Sequence, residues 1–229
     1  MRLRLSISIL CALLTAGISS ASIIGSTNAG DFQDTVNWCQ FGCIDAQYAT
    51  PQAWVSTQGA TGVIRLVDTQ QGMFNLMQSV TWFGNFSNNM GLVYNGASFE
   101  NTPTDIAATF DQGVYGAGAY IQANYFGAFQ ATVTLFDINY QPLGAFTTNG
   151  VSEPIPGTAL FIGGYIGTPD VWAVQFDAAG TSSYEPDFAI GTMGLRTTVP
   201  EPSSLLLIAP AVLALSAFAR RRRHADRDR

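Results

Sequence analysis

Residues 131–147 read ATVTLFDINYQPLGAFT, with two apolar runs on either side of a polar segment. In the first run Val133 and Leu135 alternate with threonines, which is the period of two typical of a half-buried β-strand. Residues 137–141 include Asp and Asn, which hydrogen-bond their own backbone in turns. The stretch therefore predicts an antiparallel hairpin whose loop lies at residues 137–141.

The same pattern recurs along most of the chain. Short runs of β-branched and aromatic residues are separated by Gly, Asn, Asp and Pro, and no amphipathic helix of convincing length interrupts them. Nine strands are predicted, at residues 62–67, 73–83, 106–110, 114–122, 131–136, 143–147, 159–165, 171–176 and 188–196. Strands of this length and spacing predict an all-β fold, an antiparallel β-sandwich of the jelly-roll type, over residues 22–196.

Charge is distributed unevenly along the 229 residues. Residues 22–199 contain thirteen acidic residues and two basic ones, Arg65 and Arg196, so their net charge is −11 against −6 for the whole chain. A negative field of this size repels phosphate backbones. We therefore expect no binding to nucleic acid.

The predicted domain carries little recognisable catalytic chemistry. The one histidine, His224, lies outside it, which removes the base of Ser-His-Asp and Cys-His sites and a common zinc ligand. We therefore expect a protein that is not an enzyme and that holds no cofactor or metal. Two alternatives stay open: a glycoside hydrolase with paired carboxylates, and a calcium site made of loop carboxylates and carbonyls.

Cys39 and Cys43 form the one local cluster of reactive side chains in the predicted domain. Three residues separate them, whereas redox and zinc motifs have two. In an exported protein this spacing favours a structural disulfide between Cys39 and Cys43. Two free thiols are the alternative.

The N-terminus has the three parts of a secretory signal peptide in residues 1–21. Arg2 and Arg4 form the positive region, residues 5–14 are largely apolar, and residues 19–21 are small, as a signal peptidase requires. We expect cleavage near Ala21. A permanent N-terminal anchor is the alternative, but polar residues follow the apolar run too soon for a full membrane span.

The C-terminus combines a proline motif, an apolar segment and a basic cluster. Residues 197–203 form a linker that contains Pro200, Glu201 and Pro202, and residues 204–219 carry no charge. A helix of that length is about 24 Å long, slightly under the ~30 Å hydrocarbon core of a bilayer.

The positive-inside rule keeps the basic tail at residues 220–229 in the cytoplasm. Its first four residues are Arg220, Arg221, Arg222 and Arg223. The sequence predicts a short single-pass transmembrane helix, with a buried soluble helix as the alternative.

These three parts, in this order over residues 199–223, resemble the PEP-CTERM sorting signal. Proteins of this kind are exported by Gram-negative bacteria that make exopolysaccharide, and exosortase, a transpeptidase-like membrane enzyme, is thought to cleave their tails. The resemblance implies a single-pass inner-membrane precursor that is later delivered to the cell surface or the extracellular matrix. Signal peptidase and an exosortase-type enzyme are the implied partners. A permanent anchor behind a proline linker is the alternative.

Residues 31–196 also resemble a domain that many PEP-CTERM proteins carry. The matching segments are residues 81–86, 91–94, 106–110, 116–122, 125–129 and 161–163. This likeness implies a galactose-binding-like sandwich with no established activity. We expect a structural or adhesive role in the extracellular polysaccharide. A lectin-like module is the alternative, in which exposed aromatic residues would line a groove; the candidates are Trp54, Trp82, Trp172 and Tyr120.

Overall fold

The computed structural model describes residues 22–41, 47–48, 54–57, 63–67, 73–95, 105–180 and 187–198. Several predictions fall outside these residues: the signal peptide, the proline motif at Pro200–Pro202, the membrane helix at residues 204–219 and the arginines at 220–223. Within the described ranges, no helix has the length and apolar character needed to cross a membrane. The chain divides at Thr197 into two units, Met1–Thr197 and Thr198–Arg229, and both sheets belong to the first unit.

The described residues form fourteen β-strands and two short 3₁₀ turns, Ala29–Asp31 and Trp38–Phe41. In chain order the strands are β1 (Ile24–Ser26), β2 (Asp34–Val36), β3 (Gln47–Tyr48), β4 (Trp54–Ser56), β5 (Val63–Val67), β6 (Met73–Met77), β7 (Gly91–Asn95), β8 (Ile106–Val114), β9 (Gly116–Ala123), β10 (Gly127–Phe136), β11 (Pro142–Ser152), β12 (Leu160–Tyr165), β13 (Val171–Gly180) and β14 (Phe188–Arg196).

The strands pair into two antiparallel sheets. Sheet A has eight strands in the order β1-β12-β9-β14-β7-β6-β3, with β2 paired to β14 beside β7. Sheet B has six strands in the order β11-β10-β13-β8-β5-β4. The predicted all-β fold with two antiparallel sheets is therefore confirmed.

Both sheets contribute to one buried apolar core. In β10 every second residue from Phe129 to Leu135 is buried, whereas the residues between them are exposed or half-buried. Sheet A adds Ile121 from β9 and Phe188 and Ile190 from β14 to the same core. The alternation that predicted the strands thus separates core from surface.

The predicted hairpin loop is confirmed at residues 137–141, between β10 and β11. Asp137 Oδ1 accepts hydrogen bonds from the backbone N–H groups of Asn139 and Gln141, both at 2.8 Å. Tyr140 N–H donates to the Asp137 carbonyl at 3.0 Å. The Asp side chain therefore closes the turn, as the sequence indicates.

The predicted strand at residues 73–83 is wrong beyond Met77, where β6 ends. The Met77 N–H donates to Thr81 Oγ1 at 2.8 Å, and Ser79 takes a positive φ of 67°. The chain consequently turns back on itself, and residues 78–90 form a loop that leads into β7, a strand the sequence pattern did not predict. A local side-chain hydrogen bond thus competes with the strand that the apolar composition favours.

Gln122 of β9 holds this loop against sheet A. Its Oε1 accepts hydrogen bonds from Trp82 Nε1 at 3.1 Å and from the Asn85 backbone N–H at 3.0 Å. The side chains of Gln122 and Trp82 are both buried. The loop and sheet A together bury a second apolar cluster, formed by Leu76, Trp82, Phe86, Leu92 and Ala189.

A row of glycines on sheet A makes room for Phe32, which follows the first 3₁₀ turn. Gly163, Gly118 and Gly194 are register partners across β12, β9 and β14. A Cβ atom at Gly163 would lie 2.4 Å from Phe32 Cζ, and one at Gly194 would lie 2.7 Å from Phe32 Cβ. The buried Phe32 ring therefore rests directly on the backbone of the sheet.

Candidate functional site

A broad concavity lies on sheet B, where β10, β11 and β13 approach the segment that leads into β12. It is an open groove of about 720 Å³, within the range of ligand pockets. We call it the sheet B groove, and its lining residues are Ala128, Phe129, Gln130, Asn149, Gly150, Val151, Glu153, Thr158, Leu160, Ala179 and Gly180.

The lining of the sheet B groove combines four small residues with larger side chains. Ala128, Gly150, Ala179 and Gly180 are the small ones. A Cβ atom at Gly150 would lie 2.6 Å from Phe129 Cζ and 3.0 Å from Leu160 Cδ2. Because two apolar side chains already occupy that space, glycine is required there for them to pack as they do.

Two exposed amides stand side by side at the sheet B groove. Gln130 of β10 and Asn149 of β11 are direct cross-strand partners, so their Cβ atoms lie about 5 Å apart. Both side chains are exposed. Each amide can donate and accept hydrogen bonds, so the pair can engage two adjacent hydroxyl groups of one ligand.

The polar surface continues from the amide pair along the outward face of sheet B. Thr132 and Thr147 form the next outward rung, with 3.0 Å between their Oγ1 atoms. Thr134 lies on the rung after that. From Gln130 to Thr134 the face extends about 14 Å along the strand. It is therefore long enough for an extended polymer rather than a single small molecule.

One carboxyl group on this face has a perturbed pKa. Asp177 of β13 is the register partner of Thr132 and is half-buried. Burial raises its pKa above the ordinary aspartate value of 3.8, and the hydrogen bond from the Ala178 backbone N–H partly offsets the rise. Desolvation disfavours the charged form of the acid.

Glu153 is the sole carboxylate among the described residues that line the sheet B groove. Its Oε1 accepts a hydrogen bond from Thr158 Oγ1 at 2.8 Å. A hydrolytic site of the kind considered from the sequence needs a second carboxylate on the opposite side of the bond to be cleaved. Elsewhere in the described part of the chain, no three His, Cys, Asp or Glu side chains gather as a metal site would require.

The residues predicted from the sequence are mostly elsewhere. Cys39 lies in the second 3₁₀ turn and is disulfide-bonded, but Cys43 lies outside the described residues, so the Cys39–Cys43 pairing stays a prediction. Of the aromatic candidates, Trp82 is 7% exposed, and Tyr120 and Trp172 are half-buried. None of these residues lines the sheet B groove.

Sequence reasoning missed Gln130 and Asn149. In the sequence, each of the two is a polar residue at an outward position of a strand. Such residues are common on every sheet that has one face in solvent, so they do not mark a site. Only the register, which sets one amide beside the other, and the small residues around them distinguish this pair from other strand residues.

No family model and no curated protein matches the sequence. Among solved structures, a DUF4465 family protein from Bacteroides caccae is 12% identical, with a TM-score of 0.36, over 77% of this chain and 93% of its own. The enzymatically active domain of a bacteriophage tailspike protein is 10% identical, with a TM-score of 0.25, over 74% of this chain and 20% of its own. The CBM22-1–GH10 modules of a Clostridium thermocellum endo-1,4-β-D-xylanase, complexed with xylohexaose, are 14% identical, with a TM-score of 0.19, over 64% of this chain and 28% of their own. Likeness at these TM-scores carries no functional conclusion.

Proposed function

We propose that this chain is an exported, non-catalytic protein of the cell surface or the extracellular polysaccharide matrix, and that it binds a neutral polysaccharide along the outward face of sheet B. The observation that carries the proposal is the Gln130–Asn149 amide pair in the open sheet B groove. Amide and hydroxyl groups on a shallow, open surface suit a hydroxyl-rich ligand that passes across it.

Charge supports a neutral ligand. The acidic balance of residues 22–199 disfavours an anionic polymer. Of these acidic residues, Glu153 is in the described lining of the sheet B groove, and that lining holds no basic residue. Binding would therefore depend on hydrogen bonds and on van der Waals contact with the lining rather than on ionic attraction.

The absence of catalysis is part of this proposal. Glu153 is the one carboxylate in the described lining, and Asp177 on the same outward face is level with Thr147, six residues or roughly 20 Å along β11 from Glu153. The pair is too far apart to share the acid and base roles of a hydrolase, whose two carboxyl groups lie within about 10 Å of each other. We also propose that the sandwich is of the jelly-roll type. Its support is that β7, β8, β9 and β10 lie alternately in sheets A and B.

Polysaccharide affinity electrophoresis of the purified protein tests the binding proposal. We expect a neutral bacterial exopolysaccharide in the gel to retard the unaltered protein, and Asn149→Ala to lose most of the retardation. Asn139→Ala is the matched control, because it is the same substitution at the opposite end of the same hairpin. Equal retardation of Asn149→Ala and Asn139→Ala would contradict binding at the sheet B groove.

Export and sorting are supported by the sequence signals at the two ends of the chain. The prolines fix φ and keep the preceding residues extended, so Pro200–Pro202 would be presented to a processing enzyme outside the helix. The four arginines would delay the tail in the membrane, each attracted to anionic lipid by about 1 kcal/mol. A disulfide between Cys39 and Cys43 would suit the oxidising space outside the cytoplasm.

Replacing Pro200, Glu201 and Pro202 with alanines tests the sorting proposal. In cells that contain an exosortase, we expect the unaltered protein to lose its tail and the altered protein to stay uncleaved in the inner membrane. Mass spectrometry of the mature chain locates both ends, and we expect the N-terminus near Ser22. If the altered and unaltered proteins both keep their tails and have the same location, the tail is only an anchor; if both lose their tails, Pro200–Pro202 do not direct the cleavage.

A further inference from the structure

A second concavity lies on sheet A, where β14 changes its neighbour. At Ala189 and Ile190, β14 pairs with β7, and from Met193 to Leu195 it pairs with β2 on the same side. The two neighbours do not meet end to end. The gap between the end of β2 and the start of β7 is a pocket of about 320 Å³.

The backbone of β14 is irregular at this gap. The ladder with β9 shifts register between Ile190 and Met193, so Gly191 and Thr192 form a bulge. The Gly191 carbonyl accepts a hydrogen bond from Trp38 Nε1 at 2.7 Å, and Trp38 is fully buried. A bulge re-aims side chains relative to a regular strand. Here Thr192 lines the pocket.

The lining is polar but uncharged. We call this concavity the seam pocket, and its described lining residues are Thr35, Asn37, Ser87, Asn88, Asn89, Met90, Gly91 and Thr192. Three are amides and three are hydroxyls, and Met90 is the one large apolar side chain. This combination offers hydrogen bonds in several directions together with a single apolar contact.

Two of the amides are oriented by the protein itself. Asn37 Oδ1 accepts a hydrogen bond from the Cys39 backbone N–H at 3.0 Å. Asn88 Oδ1 accepts one from Ser79 Oγ at 2.7 Å. Each oxygen keeps a second lone pair, so each oriented amide can offer its Nδ2 donors and one further acceptor site to a ligand.

The loop that carries Asn88 is also fixed. The Gln78 N–H donates to the Met90 carbonyl at 3.0 Å, and the Met90 N–H donates to the Ser87 carbonyl at 3.1 Å. Asn89 takes a positive φ of 63°, a conformation that Asn tolerates better than most residues. The backbone that carries Asn88 and Asn89 is therefore held in place before a ligand arrives.

We propose that the seam pocket binds one neutral sugar residue, at a chain end or as a free saccharide. Fixed N–H donors and hydroxyls match the ring of hydroxyl groups on a sugar, and Met90 provides an apolar contact for its C–H face. The described lining holds no cation to retain an anion, and the acidic domain repels one. The seam pocket shares no described lining residue with the sheet B groove, so this proposal does not rest on polysaccharide binding there.

Saturation-transfer difference NMR of the full-length purified protein tests this proposal. The probes are the methyl glycosides of glucose, galactose and mannose, with acetate as an anionic competitor. We expect at least one glycoside to bind the unaltered protein and Asn88→Ala to weaken it about tenfold, the loss of one hydrogen bond from a fixed donor. Asn139→Ala in the distant hairpin is the matched control and should bind normally.

A second variant separates ligand contact from loop stability. Asn88→Ala removes an acceptor from Ser79 and could loosen the loop, whereas Thr192→Val removes only a hydroxyl and keeps the side-chain shape. We expect Thr192→Val to weaken glycoside binding about fivefold.

Three results would overturn the proposal: no glycoside binds the unaltered protein, both pocket variants bind like the unaltered protein, or acetate displaces the sugar. Asn149→Ala distinguishes the two sites. If it abolishes glycoside binding while the pocket variants retain it, the sugar occupies the sheet B groove, so the seam pocket proposal fails and the groove proposal stands.

Discussion

Asp177 makes the stability of the protein depend on pH. Burial raises the pKa of its carboxyl in the folded chain above the ordinary value of 3.8, so the folded chain holds this proton more tightly than the unfolded chain does. The stability that this bound proton adds to the folded state is fully present below about pH 3.8 and is lost as pH rises through the folded pKa.

We expect Asp177→Asn to unfold at the same denaturant concentration as the unaltered protein below that pH range, and at a higher denaturant concentration at neutral pH. Asp187, whose pKa burial also raises, is present in both proteins and cancels in the comparison. Parallel curves across the whole pH range would contradict the assignment.

Gly163 is required because Phe32 rests on it. A Cβ atom there would lie 2.4 Å from Phe32 Cζ and 3.0 Å from Gly118 Cα. We expect Gly163→Ala to lower the free energy of unfolding by about 1–3 kcal/mol, the usual cost of overpacking. Gly167→Ala is the matched control, because nothing lies within 4 Å of a Cβ atom at Gly167. Chemical denaturation measures both. Equal effects of the two substitutions would mean that Phe32 moves away without cost.

At the scale of elements, the loop of residues 78–90 depends on one buried side chain. Gln122 Oε1 accepts from both Trp82 Nε1 and the Asn85 N–H, so Gln122→Leu would leave two buried donors without an acceptor. Each orphaned donor costs about 1–3 kcal/mol, and we expect a total loss of about 2–6 kcal/mol. Gln112→Leu changes an exposed glutamine of β8 in the same way and should cost less than about 0.5 kcal/mol. Thermal unfolding of the two variants would contradict this role of Gln122 if their midpoints agree.

Elements whose signals are local could be predicted from the sequence. The hairpin around residues 137–141 is an example, because its alternating strands and its Asp137 turn lie within a few residues of each other. The loop at residues 78–90 could not be predicted, since its anchor, Gln122, is distant in sequence and the apolar composition of residues 73–83 favours a strand. The two candidate sites depend still more on pairing: Gln130 meets Asn149 through register, and the seam pocket exists because β14 exchanges β7 for β2. The amino-acid composition does not reveal which strands pair or in which register they pair.

At the scale of the whole molecule, the proposed function assigns one role to the two ends of the chain and another to the sandwich. The ends would deliver the protein outside the cell and process it, and the sandwich would retain it there by contact with polysaccharide. The acidic balance of residues 22–199 fits this division, since it favours solubility over binding to anionic surfaces. If retention depends on the sheet B groove, then loss of its amide pair should free the protein without affecting export.

The most direct test is therefore the share of exported protein that sediments with the exopolysaccharide of cells that secrete it. We compare the unaltered protein, the double variant Gln130→Ala/Asn149→Ala and the hairpin control Asn139→Ala, with the total exported amount measured alongside. The predicted result is that the unaltered and control proteins sediment with the polysaccharide, whereas the double variant is exported equally well but stays in the medium. If all three proteins sediment to the same extent, or all three stay in the medium, the sheet B groove does not hold this protein in the matrix.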